Sequence, residues 1–167
     1  NAVLAGQGQV GIIVRATLKL VAAPARIRVF NLVHFNLAAL ISEMQLLMDD
    51  RRFEFLEAFS LPQPDGTWVY ALLAGLHDAR NFISVEDQGF AEFANRVQVS
   101  DTLVHPWIDL MLPHPGIEAF VGSVEQTLKP LVDGDRFSSL LIPMRTGRFT
   151  RPLFRAPKTK LAFGFDI

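Results

Sequence analysis

The chain has 167 residues, half of them apolar, which is the length of one domain and enough apolar matter to bury a sizeable core. Its 16 basic and 17 acidic residues nearly cancel, so nothing in the charge balance points to nucleic acid or an anionic membrane, and a small-molecule ligand fits better. The absence of cysteine removes disulfides, a thiolate nucleophile and a cysteine-based zinc site, while leaving the compartment and the oligomeric state open.

The chain opens on Asn1-Ala2-Val3-Leu4-Ala5-Gly6, an apolar stretch with no cap, no turn and no basic leader before it, which reads as a polypeptide entered midway. After Gly11, the run Ile12 to Leu20 sets Arg15, Thr17 and Lys19 against Val14, Ala16, Leu18 and Leu20. That alternation predicts a half-buried strand. Ala22-Ala23-Pro24 ends it, so a boundary is expected there, with residues 1–22 closing one domain and residues 23–167 forming another.

Ile27 to Val33 is β-branched and aromatic enough for a strand. Asn36 then offers a side-chain cap to Leu37, Leu40, Ile41, Met44, Leu47 and Met48, which share one helical face. Residues 53–58 read as a strand, Pro62-Gln63-Pro64-Asp65-Gly66 as a turn, and Thr67 to Leu73 as the returning strand of a hairpin. Residues 86–97 carry helical spacing, and Trp107 to Leu112 reads as a strand. Pro115-Gly116 opens a helix with Ile117, Phe120, Val121, Val124 and Leu128 on one side, closed by Pro130. Ser138 to Ile142 and Leu161 to Ile167 are the last expected strands, joined by a basic loop. Hairpins outnumber βαβ crossovers in this order, so the expected class is α+β: an antiparallel sheet with helices covering one face.

Gly6-Gln7-Gly8-Gln9-Val10-Gly11 fits G-x-G-x-x-G. A dinucleotide-binding turn of that kind needs a helix directly after the last glycine, because the helix N-terminus holds the pyrophosphate. Here β-branched residues follow, and no acidic residue ends a second strand at the required distance. Two readings remain: a plain glycine turn into a strand, or a turn whose glycines let backbone approach a cofactor.

The segment Gly6 to Ala16 resembles the G-G-x-G-Q-F-G-I-I-T-R-A stretch of cytokinin dehydrogenases, flavoproteins of the vanillyl-alcohol-oxidase type, departing at Gln7, Val10 and Val14. Residues 53–59, FEFLEAF, are similar to the family's F-D-Y-x-E-G-F, and His105-Pro106-Trp107-Ile108-Asp109 to its H-P-W-L-N. Ile142-Pro143-Met144 falls where the family has Y-P-L, so the likeness runs almost the whole chain. It implies the last strand of an FAD-binding domain followed by most of a substrate-binding domain.

Carried over by position, the resemblance implies that Gly11, Ile12 and Ile13 touch FAD, and that Glu57, Val97, Trp107, Asp109 and Ile167 line a substrate pocket. Glu57 would bond a polar edge of the ligand and Trp107 would stack on a planar one. Asp109 replaces the family's asparagine with an anion, Ile167 replaces a leucine, and the loop before Trp107 is shorter. These departures weigh against an adenine-type substrate. No catalytic residue is expected in this stretch, since the family's flavin-linking histidine and proton-accepting aspartate lie in its flavin domain.

The four histidines show no metal spacing, and the basic stretch from Arg145 to Lys160, broken by prolines, reads as a solvated loop rather than a phosphate site. The implied activity is oxidation of a small amine by hydride transfer to FAD. A related oxidase of alcohols or sugars, and a stand-alone ligand-binding domain without flavin, are the alternatives.

Overall fold

A computed structural model of the chain describes residues 11–20, 28–76, 108–132, 137–151 and 154–167. Among these, strand β1 (Arg28–His34), helix α1 (Leu37–Asp50), the hairpin β2 (Phe55–Pro62) and β3 (Trp68–Leu76), strand β4 (Asp109–Pro113), helix α2 (Ile117–Leu128), strand β5 (Ser139–Arg145) and strand β6 (Leu161–Asp166) follow in order. The six strands form one sheet in the order β1-β3-β2-β5-β6-β4, with every pairing antiparallel. This is the α+β class expected. No helix among the described residues is long and apolar enough to cross a membrane.

Helix α1 begins where the sequence says it should. Asn36 stands at the N-cap in extended conformation and its side chain accepts from the Ala39 amide at 3.0 Å, satisfying an amide that has no partner within the helix. The helix stops at Arg51, whose φ of 62° is left-handed. The β2–β3 turn closes through Gly66, at φ 79°, and through Asp65, which accepts from the Thr67 amide at 2.9 Å and from the Thr67 hydroxyl.

Both helices pack on the same face of the sheet. Leu37, Leu40, Ile41 and Met44 from α1 and Ile117 and Val121 from α2 meet Ala58, Tyr70, Leu72, Leu141, Phe163 and Phe165 from the strands. Each large side chain so buried contributes about 1.5–3 kcal/mol of transfer free energy, so this layer dominates the stability. Pro143 is tolerated inside β5 because the β2 pairing ends at Ala58–Leu141, before the proline's missing N–H would be needed on that side.

Three expectations need correction. Residues 11–20 form neither strand nor helix and are exposed throughout, Ile12 at 84% and Val14 at 92%. Alternation alone does not make a strand; a neighbour must take up its N–H and C=O groups, and no described residue does so. The hairpin strands are shifted and lengthened, to Phe55–Pro62 and Trp68–Leu76, because the helix turn at Arg51 delays β2 and β3 is paired on both sides. On α2 the buried stripe is Ile117, Val121 and Glu125, not a purely apolar one, while Phe120 stands at its margin, edge-on to Phe165. The expected helix at 86–97 and the domain boundary near residue 22 lie outside the described residues.

Candidate functional site

Strand alternation sends every second residue to the sheet face that neither helix covers. On β2 these are Glu57, Phe59 and Leu61, on β3 Val69, Ala71 and Leu73, and on β5 Leu140, Ile142 and Met144, all half-buried. A row runs straight across this face from register alone: Val33, Ala71, Phe59, Leu140, Asp166 and Asp109, on β1, β3, β2, β5, β6 and β4 in turn. The face is a largely apolar wall with carboxylates at separate places.

Glu57 sits opposite Leu73 on β3. Burial of its side chain among apolar neighbours pushes its carboxyl up from the ordinary value. Asp109 and Asp166 are direct cross-strand partners at the β4 edge. Asp166 is pushed up to about 6, first by burial and then by the charge of Asp109 and the hydrogen bond between the two carboxyl groups. Glu57 on β2 and Asp166 on β6 have one strand between them and are offset by two residues along it, so they stand roughly 12 Å apart across the wall. A planar molecule lying on Phe59 and Leu140 would have a carboxyl group towards each end.

Gly164 belongs to this wall. It faces Met111 on β4 and Ile142 on β5, and a Cβ there would come within 2.8 Å of the Met144 Cε and 3.7 Å of the Ile142 Cβ. Its missing side chain lets Met144 lie down flat against the sheet.

Of the residues singled out in the sequence, the structure therefore brings Glu57 and Asp109 to one face. Ile167 goes the other way: its side chain packs against the helix-covered core, and its backbone exchanges two hydrogen bonds with Ile108, at 2.9 and 3.1 Å. Gly11, Ile12 and Ile13 lie in the exposed segment, with Gly11 at φ 154°, a value that favours glycine. No helix follows Gly11, as the dinucleotide-binding reading would require. Val97 and Trp107 lie outside the described residues.

Sequence reasoning missed Asp166, Phe59 and Leu140. Their alternation was visible, but only the register places Asp166 against Asp109. A separate groove of about 510 Å³ opens at the β1 edge between Phe30, Leu32, Glu43, Leu47 and Phe53, and none of the cofactor- or substrate-contacting residues that the resemblance implies lines it. There His34 Nε2 lies 3.0 Å from Glu43 Oε2, and the Phe30 and Phe53 rings meet edge to face.

No family model matches the chain. It is 27% identical, over 185 aligned positions, to the protein named "Uncharacterized oxidoreductase ORF5 in fasciation locus" of Rhodococcoides fascians. That alignment takes in 94% of this chain but 42% of the relative, so the chain spans less than half the length of the protein it matches.

Proposed function

We propose that this chain is the substrate-binding part of an FAD-dependent oxidoreductase, with the sheet face that neither described helix covers as the wall against which a small amine is held. The observation that carries the reading is the placement of Glu57 and Asp109, singled out in the sequence, on one apolar face together with Asp166. The oxidoreductase named as the relative agrees in its general class. The resemblance to cytokinin dehydrogenases supplies the flavin and the amine.

The exposed backbone of Gly11, Ile12 and Ile13 suits contact with a flat ring system, because its amides and carbonyls are outside any ladder and Ile13 offers an apolar side chain. FAD, when bound, supplies the acceptor for a hydride leaving the carbon beside the amine nitrogen, while the nitrogen's proton goes to a base. This chain's share is orientation: Phe59 and Leu140 exclude water from one side of the substrate, and Glu57, with its raised pKa, bonds a polar edge.

Asp109 favours a second reading, a related oxidase of alcohols or sugars, since a carboxylate accepts hydrogen bonds from hydroxyl groups where an asparagine amide would divide donor and acceptor. The intact protein decides. Purified and supplied with FAD, it should show a flavin spectrum that bleaches anaerobically on adding an amine. Bleaching by alcohols alone selects the second reading, and a protein that takes up no flavin refutes both.

A further inference from the structure

The near-cancellation of charge over the whole chain conceals a local excess. Between Asp135 and Asp166 there are seven basic residues, from Arg136 to Lys160, and no acidic one, so the rest of the chain sets nine basic against all 17 acidic residues. Five of the seven, Arg148, Arg151, Arg155, Lys158 and Lys160, are exposed on the connection between β5 and β6, and none is paired with a carboxylate among the described residues.

The connection is folded on itself. At its base, just beyond the last β5–β6 pair, Arg145 and Leu161, the Thr146 amide donates to the Lys160 carbonyl at 3.2 Å, the Thr146 hydroxyl to the Thr159 carbonyl, and the Thr159 hydroxyl to the Leu161 carbonyl at 2.8 Å. A single 3₁₀ turn occupies Thr146–Arg148, and farther out the Phe149 and Phe154 rings meet at 4.9 Å. Like charges brought together oppose such folding, and an ordinary solvated surface relieves them by interspersing acids. Here no described acid does so, and an anionic surface outside the chain would.

What the loop lacks narrows the kind of surface. A stable protein interface is built around large apolar or aromatic anchors, and none of the described residues of the connection exposes one. Single-stranded nucleic acid is held by stacking bases on aromatic faces, whereas Phe149 and Phe154 are half-buried and in contact with each other. A duplex is read by an element lying in its groove, typically a helix, and neither α1 nor α2 carries a basic residue. A bilayer rich in anionic headgroups asks for none of these, since several cations on one loop suffice for reversible attachment. The next acid along the chain, Asp166, stands at the far end of β6, about 17 Å away and roughly two screening lengths at physiological salt.

We propose that the β5–β6 connection is a peripheral docking surface for an anionic lipid bilayer, with Arg148, Arg151, Arg155, Lys158 and Lys160 against the headgroup phosphates. The attachment is independent of any flavin chemistry.

Co-sedimentation of the intact protein with vesicles tests this. Binding is expected to vesicles of equal parts phosphatidylcholine and phosphatidylglycerol, not to phosphatidylcholine alone, and should fall as salt is raised. Each cation near such a surface multiplies binding about fivefold, so the triple variant Arg148→Gln, Arg151→Gln and Arg155→Gln should weaken it on the order of 100-fold. The control triple Arg15→Gln, Lys19→Gln and Lys129→Gln, with the same net charge and equally exposed positions, should bind like the parent. Equal weakening in both triples, no binding to the mixed vesicles, or tighter binding at the same salt to a DNA duplex or a polyglutamate peptide overturns the assignment. Should the loop variant not fold, the parent's preference among these probes still decides.

Discussion

Asp109 and Asp166 face each other across the β4–β6 ladder, like charges in the position where a sheet ordinarily sets opposite ones. The fold keeps a proton on the pair to higher pH than either side chain would hold alone in water, so Asp166, pushed up to about 6, binds a proton that the unfolded chain has already released. Between the ordinary carboxylate value and about 6, the native state carries the extra proton and stability falls as pH rises. The effect is small because Asp166 is only partly buried: about 1 kcal/mol after discounting for solvent screening. Denaturant unfolding at pH 4.5 and 7.5 should show the intact protein losing that much. Asp109→Asn removes the charge but not the burial, so the loss should shrink without vanishing; an unchanged loss would show that Asp109 does not act on Asp166.

Glu57 is the side chain whose role separates substrate binding from wall-building. In the intact enzyme, Glu57→Gln should raise KM for the best amine about tenfold with little change in kcat, the signature of a contact made equally before and in the transition state. Unfolding should be nearly unaffected, since Glu57 is half-buried and lies on the face away from the core. Equal KM values in variant and parent would remove Glu57 from the site.

The helix-side core offers a test of the fold itself. Phe163 is fully buried on β6, the strand beside the β4 edge, with His114 stacked on it at a ring distance of 6.1 Å. Phe163→Ala should cost about 3–5 kcal/mol, and Asn36→Ala, which removes only the α1 cap, about 1 kcal/mol. Urea midpoints for the two variants should therefore fall in that order. A cap variant as damaging as the core variant would mean that α1 is held by its end and not by its face.

These cases also mark what the sequence could tell. Helix α1 was legible because Asn36 announces its start and Leu37, Leu40, Ile41 and Met44 repeat at the helical period, and the hairpin because Pro62 to Gly66 can hardly be anything but a turn. Both signals are local. The Asp109–Asp166 pair was not legible, since it depends on β4 joining the sheet beside β6, a choice made by packing between distant segments. Residues 12–20 mislead for a related reason: their alternation is that of a strand, but pairing needs a neighbour. Glu125 escaped because a charged residue in a helix is ordinarily assigned to solvent, and it takes the Tyr70 hydroxyl, brought in from a distant strand, to make its burial tolerable.

That last pair gives the sharpest pH prediction. Burial raises the Glu125 carboxyl, and the hydrogen bonds from Tyr70 and Ser60 pull it partly back. A raised carboxyl contributes stability that is fully present below its unfolded value and is lost as pH rises through its folded one. Tyr70→Phe takes away the donor to Oε2 without changing the shape of the ring, so the folded value moves higher still. The charged form then loses about 1–3 kcal/mol at neutral pH, and the neutral form much less. Unfolding of Tyr70→Phe and the parent should therefore converge as pH falls towards 4 and diverge towards 8. A destabilisation that stays constant over that range would mean that Tyr70 supports α2 by packing alone and that its hydroxyl does not sense the charge on Glu125.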